Sequence, residues 1–207
     1  MAGIAHPAEN SAHTVPAPRR PLPPGAAGGR DWYERVLGWP TAPGEPVRLV
    51  TGRRFDVLDV PAEAGRAALR HLGPASPVMA RGGRTLLLVA EGTADELPGL
   101  LRWLEWGDLP LDLRALGAGA LVEAPPAPPP GAGAVLPPAR GRSGPQGAAV
   151  WLRPPDPGCE VEPSLPTLSA VGGAAGSPDL VRIVDTVATH CHRIRLRRAN
   201  AQPLACS

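Results

Sequence analysis

Lysine is absent from this 207-residue chain, so arginine supplies all 21 of its basic side chains. Either GC-rich coding or nucleic-acid binding accounts for that bias, and a net charge of +2 creates no global field to draw in a polyanion. Aromatic residues are scarce: five Trp, one Tyr and one Phe. Much of the apolar content is alanine, which buries little surface, so the expected core is modest. Cysteine occurs three times, as Cys159, Cys191 and Cys206, with no C-x-x-C spacing. That pattern excludes a disulfide framework and a zinc ribbon. No apolar run reaches the roughly 18 residues of a membrane-spanning helix, and no membrane partner is expected. The opening residues lack the basic start and apolar stretch of a signal peptide, so the expected location is cytoplasmic. P-loop, G-x-S-x-G and H-E-x-x-H motifs are missing as well.

What the chain has in abundance is glycine (25) and proline (29), together about a quarter of its residues. They cluster. "PAPRRPLPPGAAGG" predicts a disordered tail over 1–30, residues 125–147 read as a flexible insert, and 156–176 as a linker.

Periodic segments lie between these stretches. Trp32, Val36 and Trp39 have helical spacing ahead of Pro40. Residues 47–50 and 55–60 predict two strands joined at Gly52. Pro61 opens a helix with Ala64, Ala67, Ala68 and Leu72 in register, and Gly73 ends it. Residues 84–90 predict a buried strand after a Gly82–Gly83 turn. Leu97, Leu100, Leu101 and Leu104 fall on one face of a helix capped by Thr93 or Asp95. Short strands are expected over 111–116, 120–124 and 148–153. The last element, 177–200, is a helix with Ser177 as cap, Pro178 in its first turn and Asp179 at its positive end. Its stripe is Leu180, Ile183, Val184, Val187 and Cys191. The order predicts an α/β (α+β) domain over 31–155, a small mixed sheet covered by helices, followed by the linker and the last helix.

Four segments, in this order, carry a resemblance. They are "VLGWPT" (36–41), "GRRFDVLDVPAEAG" (52–65), "RGGRTLLLV" (81–89) and "LDLRALGAGALVEAPP" (111–126), the last with "GAAVWLRPP" (147–155) beyond it. Together they resemble the bifunctional DNA primase/polymerase (prim-pol) domain of the archaeo-eukaryotic primase superfamily, over roughly residues 32–155. The resemblance implies a prim-pol-like fold and a phosphoryl-transfer site with two divalent ions, Mg2+ or Mn2+, about 3.5–4 Å apart. It puts the first family carboxylate on Asp59 and the third on Asp112, the implied catalytic and metal-binding residues. The second carboxylate falls on Pro61, and the histidine that contacts the nucleotide falls on Thr85. Asp56 does not replace the missing acid, because residues three apart on a strand point to opposite faces. Two carboxylates of three imply a catalytically impaired member, a pseudoenzyme that keeps the scaffold to bind nucleic acid or a protein. The alternatives are an active nucleotidyltransferase with a minimal site, and a structural or regulatory protein without a nucleic-acid role.

Other candidates come from the residues alone. Arg193, Arg195, Arg197 and Arg198 form a basic helix end, either solvated or phosphate-binding. Arg81 and Arg84 flank a Gly-Gly turn that is either a solvated turn or an anion nest. His190 and His192, at i and i+2, do not share a helix face and are not expected to chelate a metal together. Trp103, Trp106 and Trp151 are expected as core anchors rather than platforms for bases.

Overall fold

The computed structural model describes residues 26–128, 147–168 and 178–201. Residues 1–25 of the tail expected over 1–30, most of the insert (129–146), part of the linker (169–176) and the Ser177 cap lie outside these residues.

Two apolar strands form the centre. β3 (Asp56–Pro61) and β5 (Arg84–Val89) pair antiparallel, with Leu58 opposite Leu87 and Asp59 opposite Leu86. Both read as nearly continuous apolar runs because both faces of the sheet are covered. On one face Leu58, Val60, Leu87 and Val89 join a cluster with residues of three helices, α2 (Ala62–Ala68), α3 (Thr93–Trp103) and α4 (Leu180–Asn200). On the other, Val57, Leu86 and Leu88 join Tyr33, Trp39, Phe55 and Trp151. Full burial of each large apolar side chain contributes about 1.5–3 kcal/mol.

The sheet is completed by β4 (Val78–Arg81), β6 (Arg114–Leu116) and β8 (Val150–Arg153), in the order β6-β3-β5-β4-β8. A second sheet holds β1 (Thr41–Ala42), β2 (Arg48–Val50) and β7 (Leu121–Glu123), in the order β1-β2-β7. Leu49 and Val122 of this sheet belong to the aromatic cluster. The protein is therefore mixed α and β in three layers: helices, five-stranded sheet, then the small sheet with the Tyr33–Trp39 segment.

Several expectations are corrected. One mixed sheet is replaced by two, and every pair of named strands is antiparallel. Strand β4 was hidden among prolines. It pairs with β5 through the Gly82–Gly83 turn, where φ values of +53° and +82° suit a two-residue hairpin that only glycine enters freely. The last residues of the expected tail form α1 (Ala26–Asp31), followed by a wide π turn, Trp32–Val36. The wider turn rotates the face, so Tyr33 is buried and Val36 is 49% exposed. Residues 156–168 are not a free linker: Val161 and Leu165 enter the aromatic cluster, and Ala90 N–H donates to Pro166 O at 2.9 Å. Nor is α4 an appendage, since Leu180, Ile183, Val184, Val187 and Cys191 lie inside the helix-side core. Asp179 caps it by accepting from Val181 N–H at 2.9 Å.

Candidate functional site

The β3–β5 register sets Asp59 diagonal to Arg84 on one face of the ladder, because Pro61 is the residue opposite Arg84. On its other side Asp59 pairs with Arg114 of β6, and Asp112 lies two residues before that strand. The three side chains meet at this edge. Arg84 Nε donates to Asp59 Oδ1 at 2.7 Å, Nη2 to the main-chain oxygen of Asp59 at 2.9 Å, and Nη1 to Asp112 Oδ1 at 2.5 Å. Ionised partners make these hydrogen bonds roughly twice as strong as neutral ones. Burial pulls the Arg84 guanidinium down, and the bonds and charges of Asp59 and Asp112 more than offset it, leaving its pKa raised.

The end of α4 closes over the same edge. Arg198 Nη1 lies 3.9 Å from Asp112 Oδ2, and the Cys191 thiol is 3.6 Å from Asp112 O. Burial, the first cause, and the nearby Asp112 charge push that thiol up to about 11. Arg197 pairs with Glu63 of α2, and His190 Nδ1 stands 4.0 Å from the same carboxylate. The Arg197 hydrogen bond holds Glu63 below the usual carboxylate range. Of the four arginines at this helix end, Arg193 and Arg195 are exposed and have no ion-pair partner among the described residues.

The remaining candidates separate. Thr85 is buried, 3% exposed, beneath Gly65 of α2. Arg81 turns to Glu123 at 3.9 Å, so the two arginines flanking the Gly-Gly turn hold carboxylates on different strands. Asp56, on the helix-side face opposite Asp59, is 1% exposed and accepts from Ala94 N–H at 2.9 Å. It caps α3 from 38 positions away in sequence, a role that local sequence patterns do not reveal. Burial raises its carboxyl above the ordinary range, and the amides of Ala94 and Gly92 oppose that rise. Trp151 is a core anchor, whereas Trp103 is 71% exposed and Trp106 donates its indole N–H to Asp185 at 3.0 Å.

A two-metal centre needs carboxylate oxygens free to converge on two ions. Here the oxygens of Asp59 and Asp112 converge on a guanidinium, and no group of three His, Cys, Asp or Glu side chains among the described residues is arranged to hold a metal. The residues present do not fit that centre. No helix among the described residues is long and apolar enough to cross a membrane. No protein family, curated protein or solved structure matches the chain.

Proposed function

We propose that this chain is a catalytically impaired relative of the DNA primase/polymerase domain that keeps the scaffold for binding, with nucleic acid as its partner in the cytoplasm. The observation that supports the reading is the Arg84 guanidinium seated between Asp59 and Asp112. In an active member those carboxylates hold divalent ions, which activate the attacking 3′-hydroxyl and neutralise the leaving pyrophosphate. A covalently attached monovalent cation does neither. Pro61 stands where the second acid belongs, and Thr85 is packed beneath α2 instead of facing a triphosphate. The electrostatic stabilisation of the transition state is therefore dismantled at three positions. Binding then falls to the exposed Arg193 and Arg195 at the end of α4, where arginine positions phosphate without reading bases.

Two measurements test this. In primer-synthesis and template-directed extension assays with Mg2+ or Mn2+, the expected incorporation is nil; incorporation that disappears in Asp59→Ala overturns the catalytic half of the reading. A salt titration of DNA binding tests the other half. Two unpaired arginines predict a slope of log affinity on log salt of about −2 on duplex and about −1.4 on single strands. A slope unchanged in Arg193→Ala/Arg195→Ala, or no binding at low salt, removes nucleic acid and leaves a protein partner.

A further inference from the structure

We propose that the chain's own proline–arginine segment "PAPRR", residues 16–20, docks in cis into the cleft between the π turn and the loop at 157–161. The cleft has a volume of about 250 Å³ and is lined by Val36, Leu37 and Trp39 from the turn and its exit, and by Pro157 to Val161 from the loop. Leu37, Trp39 and Val161 belong to the aromatic cluster, whereas Val36 stands 49% exposed beside them. An apolar cleft beside an aromatic side chain is what proline-rich segments select, because their extended polyproline II form is preset and little entropy is lost on docking.

The rim selects the charge of the occupant. Arg54, which also lines the cleft, is already paired with Glu162 at 2.7 Å. Glu160 and Asp156 are exposed and have no ion-pair partner among the described residues. Asp156 accepts from Gly158 N–H at 3.0 Å, which fixes its carboxylate at the mouth of the loop. Two open carboxylates beside an apolar cleft fit apolar residues followed by two cations. Residues 1–25 contain that pattern once, with Pro16 and Pro18 ahead of Arg19 and Arg20, their only basic residues besides histidine. The chain can also reach. The path from Ala26 to Val36 runs through α1 and the π turn, about 15 Å at 1.5 Å per residue. An extended proline-rich chain covers that distance in about five residues at 3.1 Å each, so 21–25 span the return and 16–20 arrive at the cleft. The tether supplies an effective concentration in the millimolar range, so contacts too weak to hold separate molecules together suffice in cis. This surface owes nothing to the family reading or to Arg193 and Arg195, so either proposal can fail alone.

The test is methyl NMR on the full chain, wild type against Arg19→Glu/Arg20→Glu. The methyl signals of Val36 and Val161 should shift between the two, and those of Leu58 and Val184 in the helix-side core should not. A synthetic peptide of residues 14–24, added to the variant at millimolar concentration, should return the cleft signals toward their wild-type positions. Unchanged cleft signals in the variant overturn the proposal, and so does a peptide without effect. Wild-type shifts that depend on protein concentration also overturn it, because the occupant is then the segment of a second copy. A nitroxide on Ala17→Cys, with Cys159 and Cys206 replaced by Ser, gives an independent measurement. It should broaden the Val36 and Val161 signals, and the broadening should fall at least about twofold in Asp156→Asn/Glu160→Gln, since occupancy near half responds directly to lost affinity. Broadening that is absent, or equal in both chains, overturns the docking.

Discussion

Gly65 on α2 lies so close over Thr85 on β5 that a Cβ added to the glycine would stand 2.3 Å from the threonine Cβ. This contact is what lets α2 sit flat on the central strand. Gly65→Ala forces helix and sheet apart and should cost about 1–3 kcal/mol in urea unfolding, the usual range for overpacking. Thr85→Ala in the same chain should not rescue it, since the conflict is with the Cβ that alanine keeps. A full rescue would show that the hydroxyl or methyl is the obstacle.

The Arg84 bridge predicts an asymmetry between its partners. Arg84→Met leaves two carboxylates facing one another, whereas Asp59→Asn leaves the guanidinium with Asp112. The arginine variant should lose about 1–2 kcal/mol, discounted for partial exposure, and more than the Asp59 variant loses. A double-mutant cycle on the two residues should give a favourable coupling that shrinks in high salt. Equal losses with no coupling would mean the ion pair contributes nothing.

Asp56 predicts a pH dependence of a definite sign. Its folded pKa is raised, so the unfolded chain ionises first as pH rises. Stability from this group is full below the ordinary carboxylate value. It declines as pH climbs to the raised folded value, and the penalty persists above it. Asp56→Asn keeps an acceptor for Ala94 N–H without the charge. The variant should match wild type in melting temperature at acid pH and exceed it at neutral pH. A variant that is less stable at neutral pH would show that the charged cap on α3 outweighs the cost of burying it.

Tyr33 joins distant parts of the aromatic core through one hydroxyl. It donates to Pro125 O at 2.7 Å and accepts from Trp151 Nε1–H at 3.2 Å. Tyr33→Phe strands a buried carbonyl and a buried indole N–H together, which should cost about 1–3 kcal/mol. The same substitution should change tryptophan fluorescence, because Trp39 and Trp151 share the cluster. An unchanged urea midpoint would place water at both groups.

The sequence was most readable where one element meets its surroundings with a single periodicity. The runs of β3 and β5, the leucine face of α3 and the stripe of α4 all correspond to buried surfaces. Reading failed where partners are remote. Strand β4 holds four residues between Pro77 and a glycine turn, too short to declare itself without β5 and β8 beside it. The π turn at Trp32–Val36 shifts the buried face by one residue, which no helical wheel anticipates. At the candidate site, Asp59 and Asp112 were visible as acids, but their meeting through Arg84 depends on strand register. Sequence spacing had offered Arg84 only as half of an anion nest.

Helix α4 supplies the last residues of a core whose other side is laid down by β3, more than a hundred residues earlier. During translation, the core formed by Leu58, Val60, Leu87 and Val89 with α2 and α3 therefore stays incomplete until Leu180 to Cys191 have left the ribosome. Native structure in this domain has to form late in synthesis. A premature stop before α4 is expected to leave the helix-side core without its Leu180–Cys191 stripe, and exposed apolar surface of that kind favours aggregation.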